Sequence, residues 1–309
     1  MIREQANAKV NLVLRVGTPR EDGLHPLCSL FAALELADEV TVAPLDDGPA
    51  DVVVCSGVEG RNLAAAAAAV FREAAPDAGL PPLRIEILKR IPIAAGLAGG
   101  SADAAAVLRA ANALAGTPLS ADELRGVAAG LGSDVPSQVE PAHAIVSGVG
   151  ERVERVDLPA MTLVLVPQDD GLSTAAVYGE LDRLRAEAAG APSPAVGPAD
   201  AGPADRLAAD PLRRLAAAPV DQLAAGLTND LEPAALALRP DLAEPIATLR
   251  DAGALAAQVT GSGPTTFGLF DDRVAAERAA ATIDGQRAAA AQAIGAPAPP
   301  LAIVTELLR

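Results

Sequence analysis

The sequence predicts an α+β chain built as two halves of similar size. Three observations carry that expectation. Short segments alternate apolar and polar residues with the period of a strand. Longer segments rich in alanine and leucine carry helix caps. The two kinds follow one another without the regular strand–helix–strand rhythm of a doubly wound sheet. The break falls near residues 155–165, which gives a first domain over 1–158 and a second over 159–309.

Taken in order, NAKVNLVLRV (residues 7–16) sets Ala8, Val10, Leu12, Leu14 and Val16 on one face and Lys9 and Asn11 on the other, the pattern of a half-buried strand. DEVTVAPL (38–45) and LRIEILK (83–89) read the same way. NLAAAAAAVFREAA opens on Asn62, a side chain suited to accept from the free N–H groups of a helix start. Ser120 and Glu123 have capping-box spacing ahead of another helix, with Gly130 and Gly132 as its stop. HAIVSG and MTLVLVP are strand-like, and Ser173 and Thr174 start a helix in the helix-dominated second half. Residues 189–205, rich in Pro, Gly and Ala, read as a flexible insertion with no chemistry to assign. QVTGSGPTTFGLFD (258–271) reads as strand, glycine-rich turn and strand, and LAIVTELL as a final strand.

Half of the 309 residues are apolar but only 2% are aromatic, so the core must be made of Ala, Leu, Val and Ile. No apolar run is long enough to span a membrane, the first residues lack the apolar block of a signal peptide, and two cysteines make no disulfide framework. A cytoplasmic protein is expected. The net charge of −16 argues against a general nucleic-acid or anionic-membrane binder. An anionic small ligand needs a site built locally against that field. Of 24 basic residues only Lys9 and Lys89 are lysines. Either both are chance survivors in an arginine-rich composition, or each sits where a compact ammonium is required.

IPIAAGLAGGSADAAA (91–106) is the most informative stretch. Gly96, Gly99 and Gly100 allow close backbone approach, Ser101 can cap a helix, and Asp103 suits its first turn. Such a loop delivers free N–H groups and a helix N-terminus to one point, an anion site most often used for phosphate. The alternative is a tight turn that binds nothing. The pattern is neither a Walker loop nor a dinucleotide fingerprint.

PIAAGLAGGSADAAA resembles the glycine motif of the GHMP small-molecule kinases, and three more segments match that family in the right order. AKVNLVLRV resembles its first strand, GSDVP (132–136) its catalytic-aspartate segment, and VTGSGPTTFGLF its C-terminal glycine motif. The resemblance covers nearly the whole chain. It implies a two-domain fold, with an N-terminal domain like the second domain of ribosomal protein S5 and a ferredoxin-like α/β plait after it. It also implies phosphoryl transfer from ATP, with Mg²⁺, to an alcohol. AKVNLVL, REDGLHPLCSLFAAL, GSDVP, GLSTAAVY and TNDLE point to the branch whose alcohol carries a cytidine diphosphate and belongs to the non-mevalonate route to isoprenoids.

In that resemblance Asp134 is the general base, and Lys9 pairs with it and offsets charge on the transferring phosphoryl group. Asn62, Lys89, Pro92, Gly96, Leu97, Ala98, Gly99, Gly100 and Ser101 are the ATP-binding residues, with Ser101 also the one candidate for Mg²⁺. Asn11, His25, Tyr178, Gly261, Ser262 and Gly263 fall on the substrate side, His25 bonding and Tyr178 stacking on cytosine. A monomer or weak homodimer acting on a small molecule is implied, with no nucleic-acid or membrane partner. The sequence departs from the pattern at Leu24, where the family has a tyrosine stacking on cytosine, at Ala95 in the glycine loop, at EPAH (140–143), and in the 189–205 insertion. Two alternatives stand beside this reading. One is another GHMP kinase with a different alcohol, which Leu24 favours and His25 and Tyr178 oppose. The other is a non-catalytic nucleotide-binding homologue, which the presence of both Lys9 and Asp134 opposes.

Overall fold

The computed structural model describes residues 1–45, 48–58, 62–190 and 207–309. From residue 191 on, the expected insertion lies outside the described residues.

Seven strands form the first sheet. Its centre is the antiparallel pair β1 (Ile2–Val16) and β2 (Leu27–Pro44). The other edge of β2 pairs first with β5 (Ala144–Gly148) and then with β4 (Leu83–Leu88). β3 (Val52–Cys55) lies beyond β4, and β6 (Arg152–Arg155) beyond β5. β8 (Thr228–Asn229), from the later half of the chain, pairs parallel with β1 at Val13 and Leu14.

One expectation changes here, and one stretch of strand carries no alternation in its sequence. β1 is not half-buried: residues 6–14 are buried on both faces, Lys9 and Asn11 included. Register shifts between Asn7 and Lys9 and between Asn11 and Val13 also break the simple alternation. Bulges re-aim side chains, and this pair brackets the stretch that carries Lys9 and Asn11. The first half of β2 is apolar apart from Ser29 and buried from Cys28 to Leu34 on both faces, so it shows no period of two.

α1 (Leu63–Ala74) and α2 (Gly99–Leu114) cover one face of this sheet. Their contact is made largely of alanines, Ala64, Ala67 and Ala68 on one helix and Ala102, Ala105 and Ala106 on the other, packed with Phe71. Asn62 caps α1, accepting from the Ala64 N–H at 2.9 Å. Ser120 and Glu123 form a reciprocal capping box on α3 (Ala121–Ala129), which ends at Gly130. A single turn, α4 (Val135–Gln138), follows directly on Asp134.

The second sheet is antiparallel, with β7 (Thr162–Val166), β9 (Ala256–Val259), β10 (Thr266–Phe270) and β11 (Ile303–Glu306) in the order β11-β7-β10-β9. Helices α5 (Thr174–Gly190), α6 (Asp210–Ala216), α7 (Val220–Ala225), α8 (Glu232–Leu238) and α9 (Ala243–Asp251) lie between β7 and β9, and α10 (Arg273–Ala293) between β10 and β11. Fourth, first, third, second is the strand order of the ferredoxin-like plait.

A buried seam joins the two sheets. The Asn11 N–H donates to Thr260 Oγ1 at 2.9 Å, and Gln258 Nε2 donates to the carbonyls of Asn11 and Leu12. On the far side, the Leu308 N–H donates to the Ala33 carbonyl. β1 therefore lies between the two halves with its polar stretch at their junction.

Candidate active site

A cavity of about 540 Å³ opens at that junction. Of the residues singled out in the sequence, Lys9, Asn11, Asn62, Lys89, Pro92, Gly96, Leu97, Ala98, Gly99, Gly100, Ser101, Asp134, Tyr178, Gly261, Ser262 and Gly263 line it; His25 does not. Its charged lining residues among those described are Lys9, Lys89, Asp103 and Asp134, with no arginine or histidine.

Lys9 Nζ donates to Asn11 Oδ1 at 2.9 Å, lies 3.3 Å from Asp134 Oδ2, and sits 4.4 Å from the centre of the Phe31 ring. Its backbone N–H donates to the Leu97 carbonyl, which ties β1 to the glycine loop. The Lys9 side chain is 6% exposed and that of Asp134 32%, so the carboxylate is the partner that faces the cavity. Asn11 is less available to a ligand than its position suggested: its Oδ1 holds Lys9 and its Nδ2 donates to Ser29 Oγ. It orients the ammonium.

The glycine loop turns through three left-handed residues, Ala94 (φ 57°), Gly96 (φ 76°) and Ala98 (φ 59°). Such a conformation is strained for alanine, and alternation of this kind turns N–H groups into a concave anion nest. A Cβ at Gly96 would stand 2.4 Å from the Gly263 carbonyl oxygen, so here two glycine motifs from distant parts of the chain touch. The helix start differs from expectation. α2 begins at Gly99, inside the motif, and Ala98 occupies the cap position with no side-chain bond to the helix. Ser101 is thus in the first turn rather than the cap. Without a cap, first-turn N–H groups are left for a ligand.

Asp103 lies beyond that turn, buried, with Oδ2 2.7 Å from Lys89 Nζ and Oδ1 without a partner. Burial pushes its carboxyl up to about 6 against the opposing pull of Lys89. Lys89 is also bound to Asp38 at 2.5 Å, so its ammonium already has two carboxylate partners. Asn62 uses Oδ1 to cap α1 while lining the cavity.

On the opposite wall, Thr174 and Ser262 share a hydroxyl–hydroxyl bond of 3.0 Å; behind it, Asn229 Nδ2 donates to the carbonyls of Val259 and Gly261, and Glu232 Oε2 accepts from the Val259 N–H. Tyr178 is partly buried, and the loss of water around it raises its phenol to about 12, with the charge of Asp134 adding to the effect. His25 is not on the cavity wall. Its Nε2 is 3.0 Å from Asp182 Oδ1, and its ring meets that of Tyr178 at 4.9 Å. Leu24 is 52% exposed. The other histidine, His143, is structural. Its Nδ1 accepts from the Ala33 N–H, and burial lowers its pKa.

Sequence reasoning passed over Phe31, Ser29, Asp38, Thr174, Asn229 and Thr260. Phe31, Thr174 and Asn229 belong to LCSLFAAL, GLSTAAVY and TNDLE, segments singled out as family-like but given no role there.

Among the described residues no group of three or more His, Cys, Asp or Glu side chains is gathered for a metal. The hydroxyl of Ser101, on the cavity wall at the loop, is a hard oxygen suited to Mg²⁺ that otherwise keeps phosphate and water ligands.

Residues 62–141 match the GHMP kinases N terminal domain and residues 212–287 the GHMP kinases C terminal domain. The chain is 42% identical over 303 residues to a 4-diphosphocytidyl-2-C-methyl-D-erythritol kinase from Streptomyces coelicolor, covering 94% of this chain and 96% of that protein. It is 43% identical over 294 residues to one from Salinispora tropica, covering 91% and 87%. A crystal structure of a 4-(cytidine 5'-diphospho)-2C-methyl-D-erythritol kinase superposes with a TM-score of 0.74 at 32% identity, covering 99% of each chain. A Leishmania major mevalonate kinase, 13% identical with a TM-score of 0.67, shares the fold.

Proposed function

Because the chain belongs to the GHMP kinases, it is an ATP-dependent small-molecule kinase, and we propose that its acceptor is the C2 hydroxyl of 4-diphosphocytidyl-2-C-methyl-D-erythritol, in the non-mevalonate route to isoprenoids. The observation that carries this reading is the meeting of a Lys9–Asp134 ion pair with two glycine motifs around one cavity. A binding protein needs no such pair.

Asp134 accepts the proton of the acceptor hydroxyl as its oxygen bonds to the γ-phosphorus and ADP departs. Lys9, oriented by Asn11, offsets charge on the phosphoryl group in transit. Gly96, Leu97, Ala98, Gly99, Gly100 and Ser101 present N–H groups to the triphosphate, and Pro92 and Asn62 border the nucleotide. Ser101 and the nucleotide's own phosphates would hold Mg²⁺, which would neutralise phosphate charge. Gly261, Ser262 and Gly263 face the acceptor, and Tyr178 offers a ring to cytosine. We place the enzyme in the cytoplasm, as a monomer or weak homodimer. No helix among the described residues is long and apolar enough to cross a membrane.

The test is ADP release from Mg-ATP with 4-diphosphocytidyl-methylerythritol, set against mevalonate and homoserine and against the Asp134→Ala protein. Turnover with the cytidine substrate alone, lost in the variant, is expected. One observation favours a second reading: His25 is turned to Asp182 and Leu24 offers no aromatic face, as a kinase for a different alcohol would allow. Turnover with another alcohol and none with the cytidine substrate would establish it.

A further inference from the structure

Lys89, Asp38 and Asp103 form a buried node that phosphoryl transfer does not call upon. Asp38 is in β2, Lys89 follows β4, and Asp103 is in α2. Lys89 Nζ donates to Asp38 Oδ2 at 2.5 Å and to Asp103 Oδ2 at 2.7 Å. The second oxygen of Asp38 accepts from the N–H groups of Arg90 and Ile91, at 2.6 and 2.8 Å. The side chains are 12%, 0% and 5% exposed for Lys89, Asp38 and Asp103.

Residues 89–91 lead into the glycine loop and Asp103 follows it, so a single point clasps both ends. The start of α2 rests on the same point: a Cβ at Gly99 would stand 3.3 Å from Lys89 Nζ and 3.1 Å from Ile91 Cγ2. The node sets one ammonium against two carboxylates, so it carries no net positive charge with which to attract phosphate. What it supplies is order. A loop whose ends are fixed before the ligand arrives has little conformational freedom left to lose on binding.

We propose that Asp38 and Asp103 are positioning residues that act through Lys89 to close the glycine loop into a preformed cradle, and that Lys89 does not itself ligate the nucleotide. The inference rests on the reading of this loop as the nucleotide site. It replaces the direct role that the family resemblance gave Lys89.

The two roles for Lys89 predict opposite signs for one isosteric change. Were Lys89 a nucleotide ligand, Asp103→Asn would release its ammonium from a competing carboxylate and tighten binding. As a clasp, Asp103→Asn loosens the loop. If the ordered fraction drops to about a tenth, nucleotide affinity falls about ten-fold. The experiment measures Mg-ADP affinity by calorimetry and amide hydrogen exchange over residues 92–100 without nucleotide, for the parent, Asp103→Asn and Lys89→Arg. Weaker binding and faster exchange in both variants are expected, since a planar guanidinium does not place one compact donor between two carboxylates beside Gly99. Affinity kept or raised in Asp103→Asn, with unchanged exchange, overturns the proposal. If the Asn protein does not fold, exchange in nucleotide-free Lys89→Arg decides: faster exchange supports the clasp, and weaker binding with unchanged exchange overturns it, since loss of a ligand alone leaves the free loop as it was. Absence of Mg-ADP binding to the parent would sink the nucleotide reading instead, and exchange in the free proteins would still decide whether the clasp exists.

Discussion

Lys9 is fixed from several sides, by Asn11, by Asp134, by the Phe31 ring and through its own backbone bond to Leu97. A guanidinium has neither the size nor the single donor centre for that place. Lys9→Arg should lower kcat by about 100-fold or more, in line with the loss of one charge-stabilising donor, while circular dichroism stays native. Asp134→Asn should lower kcat by about 10²- to 10⁴-fold, the range for a lost general base, with little change in nucleotide affinity measured by calorimetry. Gly96→Ala meets both a left-handed φ of 76° and a carbonyl 2.4 Å from the new methyl. It should separate the two glycine motifs, raising KM for both substrates together. Leu24→Tyr restores an aromatic face where the structure shows an exposed aliphatic one. Stacking of about 1–3 kcal/mol should reduce KM for the cytidine substrate, and a KM that does not fall would show that the cytosine lies elsewhere.

At the scale of elements, β1 carries Lys9 and Asn11, receives the glycine loop at Lys9, and holds the second half of the molecule through Asn11, Leu12 and Leu14. The β8 residue Asn229 extends that arrangement by binding two carbonyls of the C-terminal glycine motif. Asn229→Ala leaves both acceptors buried without a donor, a loss of about 1–3 kcal/mol that should appear in thermal melts as a lower Tm. What was legible in the sequence follows from how each element is specified. The caps at Asn62 and Ser120 are local chemistry and read directly. Most of β1 and β4 read from alternation. The first half of β2 did not, because LCSLFAAL has only Ser29 among apolar residues, whereas β1, though buried on both faces as well, alternates Asn7, Lys9 and Asn11 with apolar residues. Neither did the start of α2, because the free N–H groups there are left uncapped and no capping side chain marks them.

For the molecule as a whole, the net charge of −16 surrounds a cavity whose described lining has two lysines, both already paired. The long-range field therefore opposes two anionic substrates, and only local N–H groups and the ions that accompany a nucleotide favour them. Raising ionic strength from about 10 to 150 mM should raise kcat/KM roughly two- to five-fold by screening that repulsion. Stopped-flow or steady-state rates at constant free Mg²⁺ would show it, and the opposite slope would mean that a positive patch steers the substrates. The candidate site was readable in its residue types but not in its wiring. Sequence spacing brings Lys9 near Asn11. It says nothing of Asp38 reaching Lys89, or of His25 turning to Asp182, since those contacts are set by packing between segments far apart in the chain. The scarcity of lysine has one more consequence. The two side-chain amines are 6% and 12% exposed and both border the cavity. An acylating reagent in solution finds no freely presented lysine on this protein, so any lysine labelling it achieves is a report from the pocket itself.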